Sequence, residues 1–386
     1  MVLLYEVMIR EDGNTVLELS EITFSMDKTQ SYIIYGPGEN GRMLKRVLDI
    51  LNQKVSCFIC STGHKKVTEI DGIPVFELSE YLNSKEKNLD KILMTVCGGV
   101  DSILEELKRQ LENVICQINS SQDICKVYEY FYRNYFLQRG VDLSGDFIKL
   151  KEMEFINPFK AELSYSLAFY MSCGDIILPT IYKDLSCSWE GSYEVSPVLL
   201  QENDIVIDCG SNMGLFSIIA ANRCAKSYAF ECVPSTYHYI NQICKKYNNI
   251  ELVKKAVGAF VGKVKFSMDE DLNCNNRIVW EDGEVGHNPV KFGAPENFQL
   301  VDMITIDKFV KEYKLDKVDF IKADIEGAER DMLRGAQETL RKYAPKLAIC
   351  EYHMLDDPEV LEKLILDANP NYVVFHKYKK LYAYVP

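Results

Sequence analysis

Two stretches of the sequence share one layout: an apolar strand, a glycine-rich turn, then a helix. The first is SYIIYGPGENGRMLKRVLDIL, Ser31–Leu51, and the second is DIVIDCGSNMGLFSI, about 170 residues later. Such a turn lets the backbone approach a ligand closely and lets the helix pack tightly on its strand. Each is followed by further strand and helix patterns in alternation, which restricts the fold to the α/β class with largely parallel sheets.

Around the first turn the pattern runs strand Tyr32–Tyr35, a helix with Leu44, Val47, Leu48 and Leu51 at helical spacing, strand Val55–Cys60, a short strand in IDGIPVF, a strand within Leu89–Gly99, and the helix SILEELKRQL. Residues 121–187 are rich in Tyr and Phe without clear period, and SWEGSYEVSP, Ser188–Pro197, reads as a hairpin lip. Alternation then resumes with strand Ile205–Asp208, helix Leu215–Asn222, strand Tyr228–Glu231 and a helix opened by Pro234, with Tyr237, Ile240 and Cys244 expected on one face. Strands Glu251–Val257, Val318–Asp324 and Lys346–Glu351 follow, the last two separated by one helix in EGAERDMLRGAQETLRK. Two short strands around a basic turn close the chain. A length of 386 residues suits two domains better than one core. The expected division is a strand-rich cap segment, 1–30, a Rossmann-like domain, 31–120, a connecting segment, 121–187, and a second domain, 188–386.

A net charge of −13 argues against a nucleic-acid partner, and no apolar run reaches the length of a membrane span. The opening MVLLYEVMIREDGN has no basic region ahead of an apolar one, so a cytoplasmic location is expected. The thirteen cysteines form no repeating framework and are expected as reduced thiols. Cys57 and Cys60 make a C-x-x-C, but on a strand residues three apart face opposite ways, which suits core thiols rather than a metal site.

In the first turn Gly36, Gly38 and Gly41 have dinucleotide spacing. The next strand, however, ends Cys60-Ser61-Thr62, with no acid to hold a ribose. A structural turn, a nucleotide or nucleotide-sugar site, and a redox cofactor site all remain open for it. In the second turn Asp208, Gly210, Asn212 and Gly214 follow the strand, and Glu231 ends the next strand, where a ribose-binding carboxylate belongs. An acid at Asp208 disfavours a pyrophosphate and suits a ligand carrying positive charge. S-adenosylmethionine has such charges and a ribose. Asp324 and Glu326, with Glu351 and His353, stand at the carboxyl ends of two later strands, where open α/β sheets build their sites.

The motifs EGSYE, AFECVPSTY, KAVGA, TID, DIEGAE and EYH, with that turn, resemble the FkbM family of S-adenosylmethionine-dependent O-methyltransferases over Ser188–Pro386. The resemblance implies a class I methyltransferase sheet, mostly parallel with an antiparallel edge strand, and S-adenosylmethionine as cofactor. It places Glu231 on the ribose hydroxyls, and Asp208 with the glycine-rich backbone at the methionine end; Asn212 either adopts a left-handed backbone or touches cofactor, and Asp324 joins the cofactor set. Separately, IYGPGENGR…FICSTGHKKVTEIDGIPVF resembles the N-terminal domains of bacterial sugar O-acyltransferases, which implies a nucleotide or sugar contact for Gly36, Gly38 and Gly41.

A hydroxyl acceptor needs a proton acceptor within hydrogen-bond reach. His353 is the first candidate, with Asp324 or Glu351 orienting it or acting instead. Glu326 is a site acid or a helix-start acid, Glu329 reads as a helix-start acid, and Asp307 as a helix N-cap. Asp324, Glu326 and Glu351 have the chemistry for a metal, but the resemblance does not oblige one and none is expected. His64, His238, His287 and His376 show no partners in the sequence. The polar insertion Asp269–Gln299 is read as a substrate or solvated loop, with Arg277 and Trp280 available to a sugar. The expected acceptor is a small molecule or glycan, with a nucleotide link and a homo-oligomer both left open. The rival readings are an NAD(P)-dependent oxidoreductase at Gly36–Gly41, a non-catalytic nucleotide-sugar binding protein, and N-methylation.

Overall fold

The computed structural model describes residues 2–9, 15–22, 31–50, 52–83, 92–94, 115–116, 133, 136–157, 192–267, 278–279 and 298–386. The chain forms two compact units, the second made chiefly of Trp189–Pro386. The helix expected in SILEELKRQL, most of the segment 121–187, and Arg277 and Trp280 lie outside the described residues.

The first unit is built on a mixed sheet. Ser31–Tyr35 lies parallel to both Lys54–Cys60 and Ile92–Met94, and Lys54–Cys60 is parallel to Ile73–Glu77. The antiparallel pair Val2–Ile9 and Thr15–Ile22 joins this sheet where Tyr5 meets Ile92, so the strand-rich start extends the same sheet. Tyr32, Ile33, Ile34 and Tyr35 are all buried, as a strand covered on both faces requires. Cys57 and Cys60 are buried, free thiols. Burial also pushes the Cys57 thiol up to about 11, so neither reactivity nor metal binding is favoured there.

The second unit is numbered here within itself. Its strands are β1 Ile205–Cys209, β2 Lys226–Phe230, β3 Ile250–Val253, β4 Phe320–Ala323, β5 Lys346–Cys350, β6 Val373–Lys377 and β7 Lys380–Tyr384. Its helices are α1 Leu215–Ala221, α2 Tyr237–Lys246, α3 Ile306–Glu312, α4 Glu329–Arg334, α5 Gln337–Tyr343 and α6 Asp357–Ala368. The sheet order is β3-β2-β1-β4-β5-β7-β6. All neighbours are parallel except β7, which runs antiparallel to both β5 and β6. The expected class I sheet is therefore present, with its antiparallel strand one place in from the edge. The order reverses at β1, and the carboxyl ends of β1, β2, β4 and β5 meet around that switch point. The core is a continuous layer that includes Ile207, Phe230, Phe309, Ile321, Leu333 and Ile349.

Four local expectations change. The strand expected over Glu251–Val257 is two strands, because β3 pairs with β2 whereas Ala256–Val257 pairs with Phe298–Ile304 in a second sheet. That second sheet also takes Gly262–Ser267 and Ile278–Val279, so the polar insertion contributes strand. The single helix expected after β4 is broken into α4 and α5 at Gly335. A Cβ there would lie 2.2 Å from the Gly258 carbonyl oxygen, so the backbone itself is the packing surface. On α2 the buried residues are Tyr239, Ile240 and Ile243, with Tyr237 and Cys244 half-buried, because a 3-10 turn over Pro234–Thr236 rotates the helix start.

Candidate active site

The turn after β1 is held from three sides. Gly210 and Ser211 N–H both donate to the Phe230 carbonyl at the end of β2. Glu231, the next residue, accepts from three backbone N–H groups: Asn212 at 2.9 Å, Cys232 at 2.7 Å and Val233 at 2.7 Å. It is 8% exposed, and burial pushes its carboxyl up to about 7 against the pull of those donors and of the Lys322 ammonium. Asn212 has φ of 49°, the left-handed backbone that the sequence left as one of two options. Gly210 has φ of 73°, and a Cβ on it would sit 1.9 Å from the Asp324 carbonyl oxygen, so the turn presses directly on the end of β4.

Asp208 lies behind the turn with no exposed surface. It accepts from Ser217 Oγ at 2.7 Å and forms an ion pair with Lys322 at 3.2 Å. Lys322, on β4, also donates to the Gly210 carbonyl at 2.6 Å. The Lys322 ammonium stays charged because Asp208 and Asp324 outweigh the cost of its burial. The cation that Asp208 meets is thus a protein one, and the pair fixes the turn's backbone from beneath.

Asp324 and His353 come together as expected, in company the sequence did not reveal. His353 is 4% exposed. Its Nε2 lies 3.8 Å from Asp324 Oδ1 and 3.5 Å from Glu326 Oε2, and its Nδ1 lies 3.2 Å from Glu329 Oε1. Burial disfavours the imidazolium, but Glu329, Glu326 and Asp324 together outweigh it and push the ring up to about 10. Those carboxylates favour the imidazolium, the form with no lone pair to take a proton. Asp324 is held below the usual carboxylate range: burial would raise it, but Lys322, His353, Lys380 and the Tyr193 hydroxyl prevail.

Glu351, the third catalytic candidate, turns elsewhere. Its carboxylate binds His376 Nδ1 at 2.6 Å, and His376 Nε2 lies 3.2 Å from Glu362. Burial raises Glu351, opposed chiefly by His376. Its side chain is committed to strand β6 rather than to the Asp324 cluster.

Sequence reasoning missed three participants. Tyr193, in the EGSYE motif, donates to Asp324 Oδ2 at 2.7 Å, and its ring lies beneath the ammonium groups of Lys380 at 4.4 Å and Lys322 at 5.2 Å. Glu329 is no exposed helix-start acid: it is 1% exposed and accepts from Ile325 N–H at 2.8 Å and Gly327 N–H at 3.0 Å, closing the DIEG turn. Lys322 had no signal beyond an unexpected charge inside an apolar strand. Asp307 does cap a helix, but a different one. Thr305 caps α3, while Asp307 accepts from Glu338 N–H, Thr339 N–H and Thr339 Oγ1 at the start of α5.

The first unit's turn is built differently. A Cβ on Gly41 would sit 1.9 Å from the Gly36 carbonyl oxygen, which locks helix to strand, whereas Gly38 has nothing within 4 Å. At the place of the ribose acid stands Ser61, whose Oγ pairs with Tyr35 Oη at 3.0 Å. These are neutral groups, as the sequence implied.

Residues 208–374 match the methyltransferase FkbM domain. The chain is 26% identical over 227 residues to the hexuronic acid methyltransferase AglP of Haloferax volcanii, covering 58% of this chain and 86% of that protein. It is 24% identical over 192 residues to methyltransferase sdnD of Sordaria araneosa, covering 44% and 73%. Among solved structures it aligns with methyltransferase FkbM from Methylobacillus flagellatus KT at 17% identity and a TM-score of 0.40, covering 92% of this chain and 90% of that one. The C-terminal region thus matches a methyltransferase FkbM domain, which supports methyltransferase activity and agrees with S-adenosylmethionine as cofactor. The turn fits that ligand: Glu231 stands at the end of β2, and the Ser211 hydroxyl, buried within the turn, has no hydrogen-bond partner among the described residues. Among the described residues no helix is long and apolar enough to cross a membrane.

Proposed function

We propose that this chain transfers a methyl group to a hydroxyl oxygen of a sugar or glycan precursor. The observation that carries the oxygen reading is the acidic cluster of Asp324 and Glu326 at the carboxyl end of β4, beside the Asp208–Gly214 turn. Carboxylates there can accept a hydrogen bond from an acceptor hydroxyl and supply a destination for its proton. The sugar reading is supported by the similarity to a hexuronic acid methyltransferase.

When bound, S-adenosylmethionine supplies a sulfonium methyl: the acceptor oxygen gains the new C–O bond as the C–S bond breaks, and the hydroxyl proton leaves to a carboxylate. In this reading Glu231 accepts the ribose hydroxyls, and the backbone at Gly210–Gly214 lies along the methionine end. Asp208 and Lys322 act as positioning residues, since they hold that backbone without reaching its surface. Tyr193 fixes the Asp324 carboxylate. Most of the rate then comes from alignment, for which effective molarities up to ~10⁵–10⁸ M are attainable. The first unit's turn, Gly36–Gly41, is assigned a nucleotide or sugar contact.

The test is to incubate the full chain with methyl-labelled S-adenosylmethionine and a panel of sugar nucleotides and glycans, then locate the label by mass spectrometry and NMR. Label on a sugar oxygen supports the proposal. Label on nitrogen or carbon only, from a chain that turns over, ends it.

A further inference from the structure

We propose that His353, Asp324 and Glu326 form a binding site for a divalent cation, with Glu329 fixing the histidine ring. The cation would hold the acceptor oxygen, so the catalytic meaning rests on the methyltransferase reading, although cation binding itself does not.

Among the described residues, Asp324, Glu329 and His353 each bring a donor atom within 4.8 Å of the others. Carboxylates alone would not make a site. The second observation is His353 itself: it is 4% exposed, and among the described residues its Nε2 makes no hydrogen bond although it faces two carboxylates. Leaving that nitrogen unsatisfied in a buried ring is costly, and ligation of a metal is one state that removes the cost.

The two nitrogens face different groups. Nδ1 faces Glu329, whose oxygens are already fixed by Ile325 and Gly327 N–H. A carboxylate on one ring nitrogen is the usual way a metal-binding histidine is oriented, leaving the other nitrogen for the ion. Nε2 faces Asp324 and Glu326 at 3.8 and 3.5 Å. Bonds of about 2.0–2.2 Å to one ion place adjacent ligand atoms about 3–3.5 Å apart, so the observed spacing is slightly open. Glu326 reaches this position through a left-handed backbone, φ 53°, which is strained for a residue with a side chain and is typical of functional sites.

Two carboxylates and one imidazole, with positions left for water or an acceptor oxygen, suit an ion of the Mn²⁺ or Mg²⁺ class. Such an ion lowers the pKa of an oxygen bound to it.

The experiment titrates Mn²⁺ into the chelator-treated full chain by calorimetry and by electron paramagnetic resonance, with S-adenosylmethionine binding measured on the same samples. The expected result is one Mn²⁺ per chain with an imidazole nitrogen coupling in the spin-echo spectrum. Glu326→Gln, at a half-buried position chosen to keep the fold, should weaken binding at least tenfold. Glu329→Gln should weaken it by about 10–100-fold. His353→Gln should abolish the nitrogen coupling, whereas Glu362→Gln should leave binding unchanged. A chain that binds S-adenosylmethionine but takes up no Mn²⁺, or whose Mn²⁺ is indifferent to Glu326→Gln, overturns the cation site. A chain that binds Mn²⁺ but not S-adenosylmethionine instead removes the methyltransferase reading.

Discussion

The two glycine-rich turns are alike in packing and unlike in charge. In each, one glycine faces a carbonyl oxygen that a Cβ would approach to 1.9 Å: Gly41 against Gly36, and Gly210 against Asp324. In the first turn the Tyr35 and Ser61 hydroxyls pair with each other and an exposed Arg42 guanidinium donates to the Pro37 carbonyl. In the second a buried ion pair lies beneath the turn and a carboxylate gathers three backbone N–H groups beside it. Glycine spacing therefore reports how tightly a helix packs on a strand. The charges around the turn report what it can hold.

The largest effect that tests this contrast is expected at Asp208→Asn, which leaves the Lys322 ammonium buried without its partner. Removing one member of such a pair costs about 3–5 kcal/mol, and the double change Asp208→Asn with Lys322→Met should restore much of it. Denaturant unfolding of both variants measures this. A loss under about 1 kcal/mol for the single change would mean that the pair does not hold the turn.

Next comes Gly210→Ala, which meets a backbone oxygen and a positive φ at once. A loss of about 2–3 kcal/mol is expected, with loss of cofactor binding. Normal cofactor affinity in this variant would show that the turn can move away from β4.

The pH dependence is smaller. The Glu231 carboxyl is pushed up to about 7 in the free protein, so it ionises as pH rises through that value. An ionised carboxylate accepts ribose hydroxyls best, so S-adenosylmethionine affinity should rise by about tenfold from pH 6 to pH 8. Its stability linkage has the opposite sign. A carboxyl raised in the folded state contributes stability below its unfolded pKa, and that contribution is lost as pH rises through about 7. Glu231→Gln should flatten both profiles, as calorimetric titrations and thermal scans across pH would register.

The smallest effect is expected in the first turn. Gly38→Ala has open space, so its stability change should stay below about 1 kcal/mol. If the turn faces a nucleotide sugar, the same change should weaken calorimetric binding of that ligand to the full chain while leaving S-adenosylmethionine binding untouched.

Much of this was legible in the sequence because it depends on local pattern. Strand and helix periods, the acid at the end of β2 and the acids at the ends of β4 and β5 follow from spacing along one element. What was not legible depends on contacts between distant segments. Lys322 and Asp208 are 114 positions apart, and only the β1–β4 pairing brings them together. His376 looked isolated until the β7–β6 hairpin set it against Glu351. Asp307 lies on α3 yet caps α5, 32 positions on at Thr339, because α3 and α5 pack together. Glu329 looked like an ordinary helix-start acid because burial leaves no mark on a single charged residue. The upward pull on His353 required knowing that three carboxylates converge on it.

The most direct measurement is calorimetric titration of S-adenosylmethionine into the wild-type chain and into Glu231→Ala at pH 8. The account predicts saturable one-to-one binding by the wild type and an affinity at least 100-fold weaker, about 2.7 kcal/mol, in the variant. Equal affinity in the two proteins, both folded, would contradict the assignment of the second turn and its carboxylate as the cofactor site.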